Sequence, residues 1–347
     1  MTNIFSGVKL IIKLVKRFTT VLKVYMAKLS DIAARAGVGV STVSYVLNKT
    51  GLHKVGIRTQ ERILAVAREL NYVPNVAGKA LRKGITYTVA VLFPEVNGSF
   101  AFNILSGLEN ELNRENYSML FCRYRNRKEF AAKCHQLAGR QIDGVILLGV
   151  YYDDFDEIIE LNKHHPVTAL GFKSPHPEIP SVYVDGVKLN FLAVKHLISQ
   201  GHSKIAVQCG VDKNKLAGAE KAAANGSAEL FFAPQELRNG GDFLQWGLEL
   251  DKNITAFVAY SDTAAIELIG AALDKGLQIP EDISVIGADG EEFGGLIRPA
   301  LTTIRQPDFE QGEAAARVLL QKISSGEAED VVLMPELLKR SSVALLK

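Results

Sequence analysis

The chain has 347 residues, 47% of them hydrophobic, and 40 Lys+Arg against 38 Asp+Glu. That length holds two or three domains with separate cores, and three scattered cysteines (Cys122, Cys134, Cys209), without metal-ligand spacing, exclude a disulfide framework and a zinc site. The near-neutral total hides a division, because residues 1–84 hold 15 of the bases and 3 of the acids, net +12, which leaves 25 bases and 35 acids, net −10, in the remainder. Such a head attracts polyanions and such a body does not.

The first 26 residues include the run VKLIIKLVKRFTTVLKVYM. Lys13, Lys16, Arg17 and Lys23 interrupt the apolar core that a signal peptide needs, and no A-x-A follows. The run is also too short and too charged to span a bilayer. It reads as a start assigned upstream of Met26, with a basic amphipathic helix on a membrane surface as the alternative.

Leu29–Asn48, LSDIAARAGVGVSTVSYVLN, reads as two short helices joined by a tight turn. Ser30 is the expected cap of the first helix, and Asp31 suits its positive end. Ile32, Ala33 and Ala36 form an apolar face, and Gly37 ends the helix in a left-handed conformation that is cheap only for glycine. In the second helix Val43, Val46 and Leu47 face inward, while Ser41, Thr42, Ser44, Tyr45 and Asn48 face outward. Short hydroxyl and amide side chains suit a surface laid against phosphates and base edges, where a solvated helix would carry Lys and Glu. The pattern is a helix-turn-helix whose second helix is the recognition helix; the alternative is an ordinary αα-hairpin.

Arg58–Leu70 predicts a third helix with Ile63, Leu64, Ala67 and Leu70 on one face, ended by Asn71–Pro74. Asn75–Lys83 is a short run of helix formers broken by Gly78, too short to be stable alone. From Thr86 onward apolar runs alternate with amphipathic stretches. The expected strands are Thr88–Phe93, Ser118–Cys122, Gly144–Gly149, Val167–Gly171, Val182–Asp185, Lys204–Cys209, Ala228–Phe232, Thr255–Tyr260 and Ile283–Ile286. Helices are expected between them, among them Phe100–Asn116, Leu189–Gln200, Thr263–Lys275 and Phe309–Ser324. This alternation predicts an α/β core, and nine strands divide best between two doubly wound parallel-sheet subdomains. Ligands of such folds bind at the carboxyl ends of the strands, here in the cleft between the halves. No dinucleotide or NTP fingerprint is present, so no cofactor is expected.

LSDIAARAGV, STVSYVLN, ELNYVPN, VLFPEVNGSF, GHSKIAV, YSD, PEDISVIGAD and LTTIRQP stand in the order of the LacI/GalR family of bacterial transcription regulators, which the chain resembles from Lys28 to about Ser342. The resemblance implies a lambda-repressor-like all-α head, a hinge helix and a two-lobed periplasmic-binding-protein-like core. It divides the chain into the extension 1–26, a DNA-binding domain 27–73, a hinge 74–85 and an effector-binding and dimerisation core 86–347. It further implies a cytoplasmic homodimer on a near-palindromic operator, with no membrane partner, and a small effector such as a sugar between the lobes.

On that reading Val40, Ser41 and Tyr45 face the major groove, and Thr42, Ser44, Asn48 and Thr59 complete the DNA-facing set. Leu81 matches the family's wedge leucine, with Lys79 beside the minor groove; the alternative for Leu81 is a plain packing residue. Gly39, Gly56 and Gln60 replace residues that in the family cap helices or hold phosphates. In the core, Lys215 of KLAG stands where the family has an arginine clamp and offers a point charge in place of a bidentate fork. Asp289 matches an acid that accepts sugar hydroxyls, and Phe243 an aromatic that stacks on the ligand. Phe100, Asp153 and Asp262 complete the expected effector set, Asp262 having a helix N-cap as its alternative. Trp246 is expected in the core, and Lys213–Leu237 is shorter than the family's segment.

His202 in GHSKIAV has no partner motif, and no nucleophile–base constellation appears, so no enzyme is expected. The competing reading is a periplasmic-type sugar-binding transport protein of the same two-lobed fold. It requires a secretion signal and has no use for a DNA-binding head.

Overall fold

The computed structural model describes residues 27–73, 84–95, 100–149, 156–210, 212–224, 226 and 228–346. The chain divides into two compact units at Lys83/Gly84. The extension 1–26, most of the hinge 74–85, and with them Lys79 and Leu81, lie outside the described residues, as does Asp153.

Among the described residues the first unit has three helices: α1 (Leu29–Ala36), α2 (Val40–Leu47) and α3 (Ile57–Glu69), with a 3-10 turn at Leu52–Lys54. Ile32, Ala33, Ala36, Val43, Val46, Ile63, Val66 and Ala67 close a small core. Two expectations change here. Asp31, not Ser30, serves the first turn: its carboxylate accepts Lys28 N–H at 2.8 Å. Leu64 is exposed and Val66 is buried, because the inward stripe runs through 63, 66, 67 and 70 at helical spacing. Gly37 adopts φ 63° as the turn requires, and Asn71 at φ 46° turns the chain out of α3.

The second unit contains two six-stranded sheets. The first includes β1 (Thr88–Pro94), β2 (Ser118–Tyr124), β3 (Gly144–Leu148), β4 (Val167–Leu170) and β5 (Ser181–Val184). The second includes β6 (Lys204–Val207), β7 (Glu229–Phe232), β8 (Ala256–Val258), β9 (Ser284–Asp289) and β10 (Thr302–Arg305). After β10 the chain returns to the first sheet for β11 (Val331–Leu333), then to the second for β12 (Glu336–Leu338). The orders are β11-β5-β4-β3-β1-β2 and β12-β10-β9-β8-β6-β7. Every pair is parallel except β10 with β12. Strand order reverses around β1 in the first sheet and around β6 in the second, the doubly wound arrangement expected.

Alternation along each strand builds two cores per sheet. Val89, Val91 and Phe93 face α4 (Phe100–Arg114) and α11 (Asp308–Ser325), while Ala90 and Leu92 face the core that includes Phe130, Cys134 and Leu137 of α5 (Arg127–Ala138) and Ile158 and Leu161 of α6 (Asp156–His164). In the second sheet Ile205 and Val207 pack with α7 (Gly186–Ser199) and α8 (Lys213–Ala224). Ala206 and Phe257 pack with α9 (Gly240–Leu250) and α10 (Asp262–Asp274). β10, β11 and β12 were not among the expected strands; they are only three or four residues long. Burial pushes the Cys134 and Cys209 thiols up to about 12 and about 11, while Cys122 is only half-buried on edge strand β2. Trp246 is partly buried against the second core.

The α4–α11 crossing is set by two glycines. A Cβ at Gly107 would stand 2.0 Å from the Phe309 carbonyl oxygen, and one at Gly312 would stand 2.1 Å from that of Ile104. Gly312→Ala should therefore destabilise the second unit by about 2 kcal/mol or more, since the backbones must separate. Gly270, exposed within α10 and with nothing within 4 Å of an added Cβ, should gain about 0.5–1 kcal/mol as alanine. Urea unfolding of the two variants checks the opposite signs.

Candidate functional site

The head presents a polar helix face. Val43 and Val46 are buried, while Val40 is 47% and Tyr45 39% exposed, so α2 turns Val40, Ser41 and Tyr45 outward beside Thr42, Ser44 and Asn48. Asn48 Nδ2 donates to the Ser44 carbonyl at 2.9 Å and to Ser44 Oγ at 3.1 Å, which leaves its amide oxygen as the free end. The Tyr45 ring lies against Gly51, with Lys54 Nζ 5.8 Å from its centroid. Thr59 sits half-exposed in the first turn of α3.

Gly39 and Gly56 begin α2 and α3 without a side-chain cap. The Thr42 and Thr59 N–H groups donate to the Gly39 and Gly56 carbonyls, and the N–H groups of the two residues before each are left for solvent or an anion. Gln60 has a structural task that the sequence did not disclose. Its Nε2 donates to the carbonyls of Leu52 (3.0 Å) and Val55 (2.7 Å), pinning the turn between α2 and α3.

The second candidate region lies at the carboxyl ends of the second sheet, where β6 and β8 flank the switch point. A small cavity there is lined by Gln208, Gly210, Leu237, Arg238 and Tyr260. Gln208 is 2% exposed; its Oε1 accepts Tyr260 N–H at 3.0 Å and its Nε2 donates to the Leu237 carbonyl. One amide side chain thus ties the end of β8 to the loop before α9.

Lys215 enters from α8, whose start is held by Asp212 Oδ1 accepting Asn214 N–H at 2.9 Å. Gly218, three residues on, lets α8 approach α7, since a Cβ there would be 2.1 Å from the Val187 carbonyl oxygen. Spacing of i, i+3 then puts Lys215 on the same inward face. Its ammonium donates to the Tyr260 carbonyl at 3.2 Å and lies 3.9 Å from the Tyr260 ring centroid. Burial lowers its pKa, opposed by Asp289 and Asp212.

The acids nearby are bonded to the protein itself. Asp289 Oδ1 accepts Gln306 Nε2 at 3.1 Å, and Oδ2 lies 3.4 Å from Asp262 N. Burial raises Asp289 to about 7 against the opposing pull of Lys215. Asp262 is fully buried. Its Oδ1 accepts Thr303 Oγ1 at 2.5 Å and its Oδ2 accepts Glu291 N–H at 2.7 Å. The cap of α10 is Ser261, whose Oγ accepts Ala264 N–H at 3.1 Å. Asp262 therefore neither caps the helix nor offers an open oxygen to a ligand: it braces three segments.

Phe243 is also corrected. It is fully buried, edge-on to Phe257 at 5.4 Å and stacked with Trp246 at 6.0 Å. The apolar strands beneath α9 draw the ring into the core, so no face of it meets a ligand. Phe100 opens α4 half-buried against the core of the first sheet. His202 is 2% exposed, with Nδ1 2.9 Å from Thr255 Oγ1, and burial lowers its pKa, which fits a structural role. Among the described residues no group of His, Cys, Asp and Glu is placed to hold a metal.

Gln60→Ala should cost the head about 1–2 kcal/mol, because two carbonyl bonds are lost; thermal unfolding of residues followed by α1–α3 amide signals measures it. Asp308 supplies a pH dependence. Burial, with Asp289, Glu291 and Glu310 nearby, raises it to about 8, and Gln311 Nε2 donates to its Oδ1 at 3.2 Å. The folded protein keeps this proton from about pH 4 to 8, where the unfolded chain has released it, so stability falls as pH rises through that window. Asp308→Asn should match the wild type near pH 3.5, below the unfolded-state value, and unfold at a higher temperature at pH 8; an unchanged Tm difference between the two pH values would contradict the assignment.

Residues 28–75 match the family of bacterial regulatory proteins, lacI family, and residues 194–343 match the periplasmic binding protein-like domain. The chain is 31% identical over 340 residues to the HTH-type transcriptional repressor PurR of Aliivibrio fischeri (strain MJ11), covering 92% of this chain and 98% of that protein. It is similar to a solved LacI family transcriptional regulator from Enterococcus faecium with bound ribose: 29% identity, TM-score 0.67, 75% of this chain and 100% of that one. The Lac repressor dimer bound to operator and the anti-inducer ONPF shares the fold at 24% identity and TM-score 0.80, over 92% of this chain and 99% of that one. With a repressor this similar over nearly its whole length, the chain belongs to the LacI family of bacterial regulatory proteins.

Proposed function

We propose that this chain is a transcription repressor. It binds a near-palindromic operator as a homodimer, and a small molecule between the two lobes of its core modulates its affinity. The observation that carries the reading is α2: its apolar side is buried while its outer face carries short polar side chains beside Val40 and Tyr45, on a head of strong positive charge. Val40, Ser41 and Tyr45 then read the major groove, and Thr42, Ser44, Asn48 and Thr59 fix register on phosphates. Lys79 and Leu81 are assigned to the minor groove, Leu81 as the wedge at the central step.

The effector is assigned to the carboxyl ends of the two sheets, and Phe100, Asp153, Lys215 and Asp289 are the residues assigned to its site. The ribose-bound regulator supports a small-molecule effector, of which a sugar derivative is the first class to test. Binding changes operator affinity only by as much as the ligand discriminates between the operator-competent and incompetent states. Such a regulator works in the cytoplasm, where its DNA is.

Selection of bound fragments from random DNA, with protein starting at Met26 and salt held fixed, tests the reading. An enriched near-palindrome with a deformable central step is the expected result. Tyr45→Ala should then weaken binding to the selected site about 5- to 100-fold while leaving binding to unrelated DNA nearly unchanged, the mark of a base reader. Retention that is salt-sensitive and blind to sequence would overturn the proposal.

A further inference from the structure

The side chain of Tyr260 stands at the switch point of the second sheet and covers Lys215. Lys215 is 8% exposed. Its Nζ donates to the Tyr260 carbonyl at 3.2 Å and sits 3.9 Å from the ring centroid, within the range of a desolvated cation–π contact. The ring in turn rests on Gly210, where an added Cβ would meet Tyr260 Cε2 at 3.1 Å. Gln208 fixes the backbone of Tyr260 from the opposite side by accepting its N–H at 3.0 Å. Backbone and ring of one residue therefore occupy the ammonium together, and the glycine at 210, φ 58°, leaves room for the ring to lie there.

We propose that Tyr260 is a specificity-determining residue, an internal cap that withholds Lys215 from ligand hydroxyls and so excludes neutral sugars held through that lysine. This rests on the reading of the strand carboxyl ends as the effector site. A neutral polyol gains from an ammonium only by accepting its N–H groups. Here such a ligand must first break the bond to the Tyr260 carbonyl and lift the ring off the charge. Neither step is repaid by a hydroxyl that brings no charge of its own. Of the two acids that act on the lysine, Asp289 accepts from Gln306 and Asp212 accepts the first-turn N–H groups of α8, while Asp262 behind Asp289 is bonded to Thr303 and Glu291. An effector of this chain is then selected by the outer side of Tyr260 and the exposed Arg238 guanidinium that lines the same cavity.

Trace acetylation with acetic anhydride, read by mass spectrometry of the full-length protein, tests the cap, with exposed Lys213 as the internal standard. Lys215 should label at least ten times more slowly than Lys213 in the wild type and in Tyr260→Phe, which keeps the ring. Tyr260→Ala, and Tyr260→Leu as the variant that retains apolar volume, should raise Lys215 labelling at least tenfold relative to Lys213. Equal labelling of the two lysines in the wild type would overturn the cap, as would unchanged protection in the alanine and leucine variants. Titration of the wild type with ribose and glucose at millimolar concentration should leave Tm unshifted; a stabilisation that Lys215→Met abolishes would also overturn it. DNA selection on the same wild-type preparation separates the two readings. A protected Lys215 with no operator sinks the regulatory reading alone, and a labelled Lys215 with an operator sinks the cap alone.

Discussion

A buried carboxylate organises the second lobe. Asp262 has no exposed surface and no positive partner, yet it is held among Thr303 Oγ1, the Glu291 N–H and the start of its own helix. Charge taken out of water is tolerable only when its oxygens are fully bonded, and here each oxygen has a donor. Gly287 makes the space, since a Cβ there would fall 2.2 Å from Asp262 Oδ1. The same arrangement delivers Asp262 N to Asp289 and holds Asp289 at φ 143°, a backbone state that needs support from its surroundings. Burial raises both acids. The carboxyl ends of β8, β9 and β10 are thereby locked together, and Lys215 and Tyr260 pair against that rigid wall.

The head relies on a different economy. It has only a few buried apolar side chains, and two of its helices start on bare glycine. Backbone carbonyls captured by Gln60 compensate where a cap is missing. A domain this small is held by many modest interactions, and the uncapped N–H groups at the starts of α2 and α3 become donors that a phosphate can use. Stability forgone at these helix starts is thus stability that bound DNA can restore.

Much of this was legible in the sequence. Periodicity gave the helix-turn-helix, its buried Val43 and Val46, and the alternation that ends in two doubly wound sheets. It missed β10, β11 and β12, which lie after the last clear strand–helix alternation: TTIR and ELL mix polar with apolar residues and VVL stands alone, so none carries a periodic signal, and it misplaced Leu64 because apolar character alone does not say which side of a helix is inward. The site was less legible. Asp289 ends β9 and the Lys215 ammonium reaches the chain just past β8 from α8, but Phe243 is absorbed by the core against Phe257, a tertiary contact that an apolar residue in a helix does not announce. Asp262, Gln208 and Tyr260 act through partners 27 to 52 residues away, a distance over which local spacing carries no information.

The account stands or falls on whether the head reads sequence. The direct measurement is the ratio of dissociation constants for a selected operator fragment and a scrambled fragment of equal length, each followed across a salt series. The account predicts a ratio of about 1,000 or more that persists as salt rises, while both affinities fall together. Equal affinity for the two fragments at every salt concentration would mean that the polar face of α2 binds only the phosphate backbone, and would contradict it.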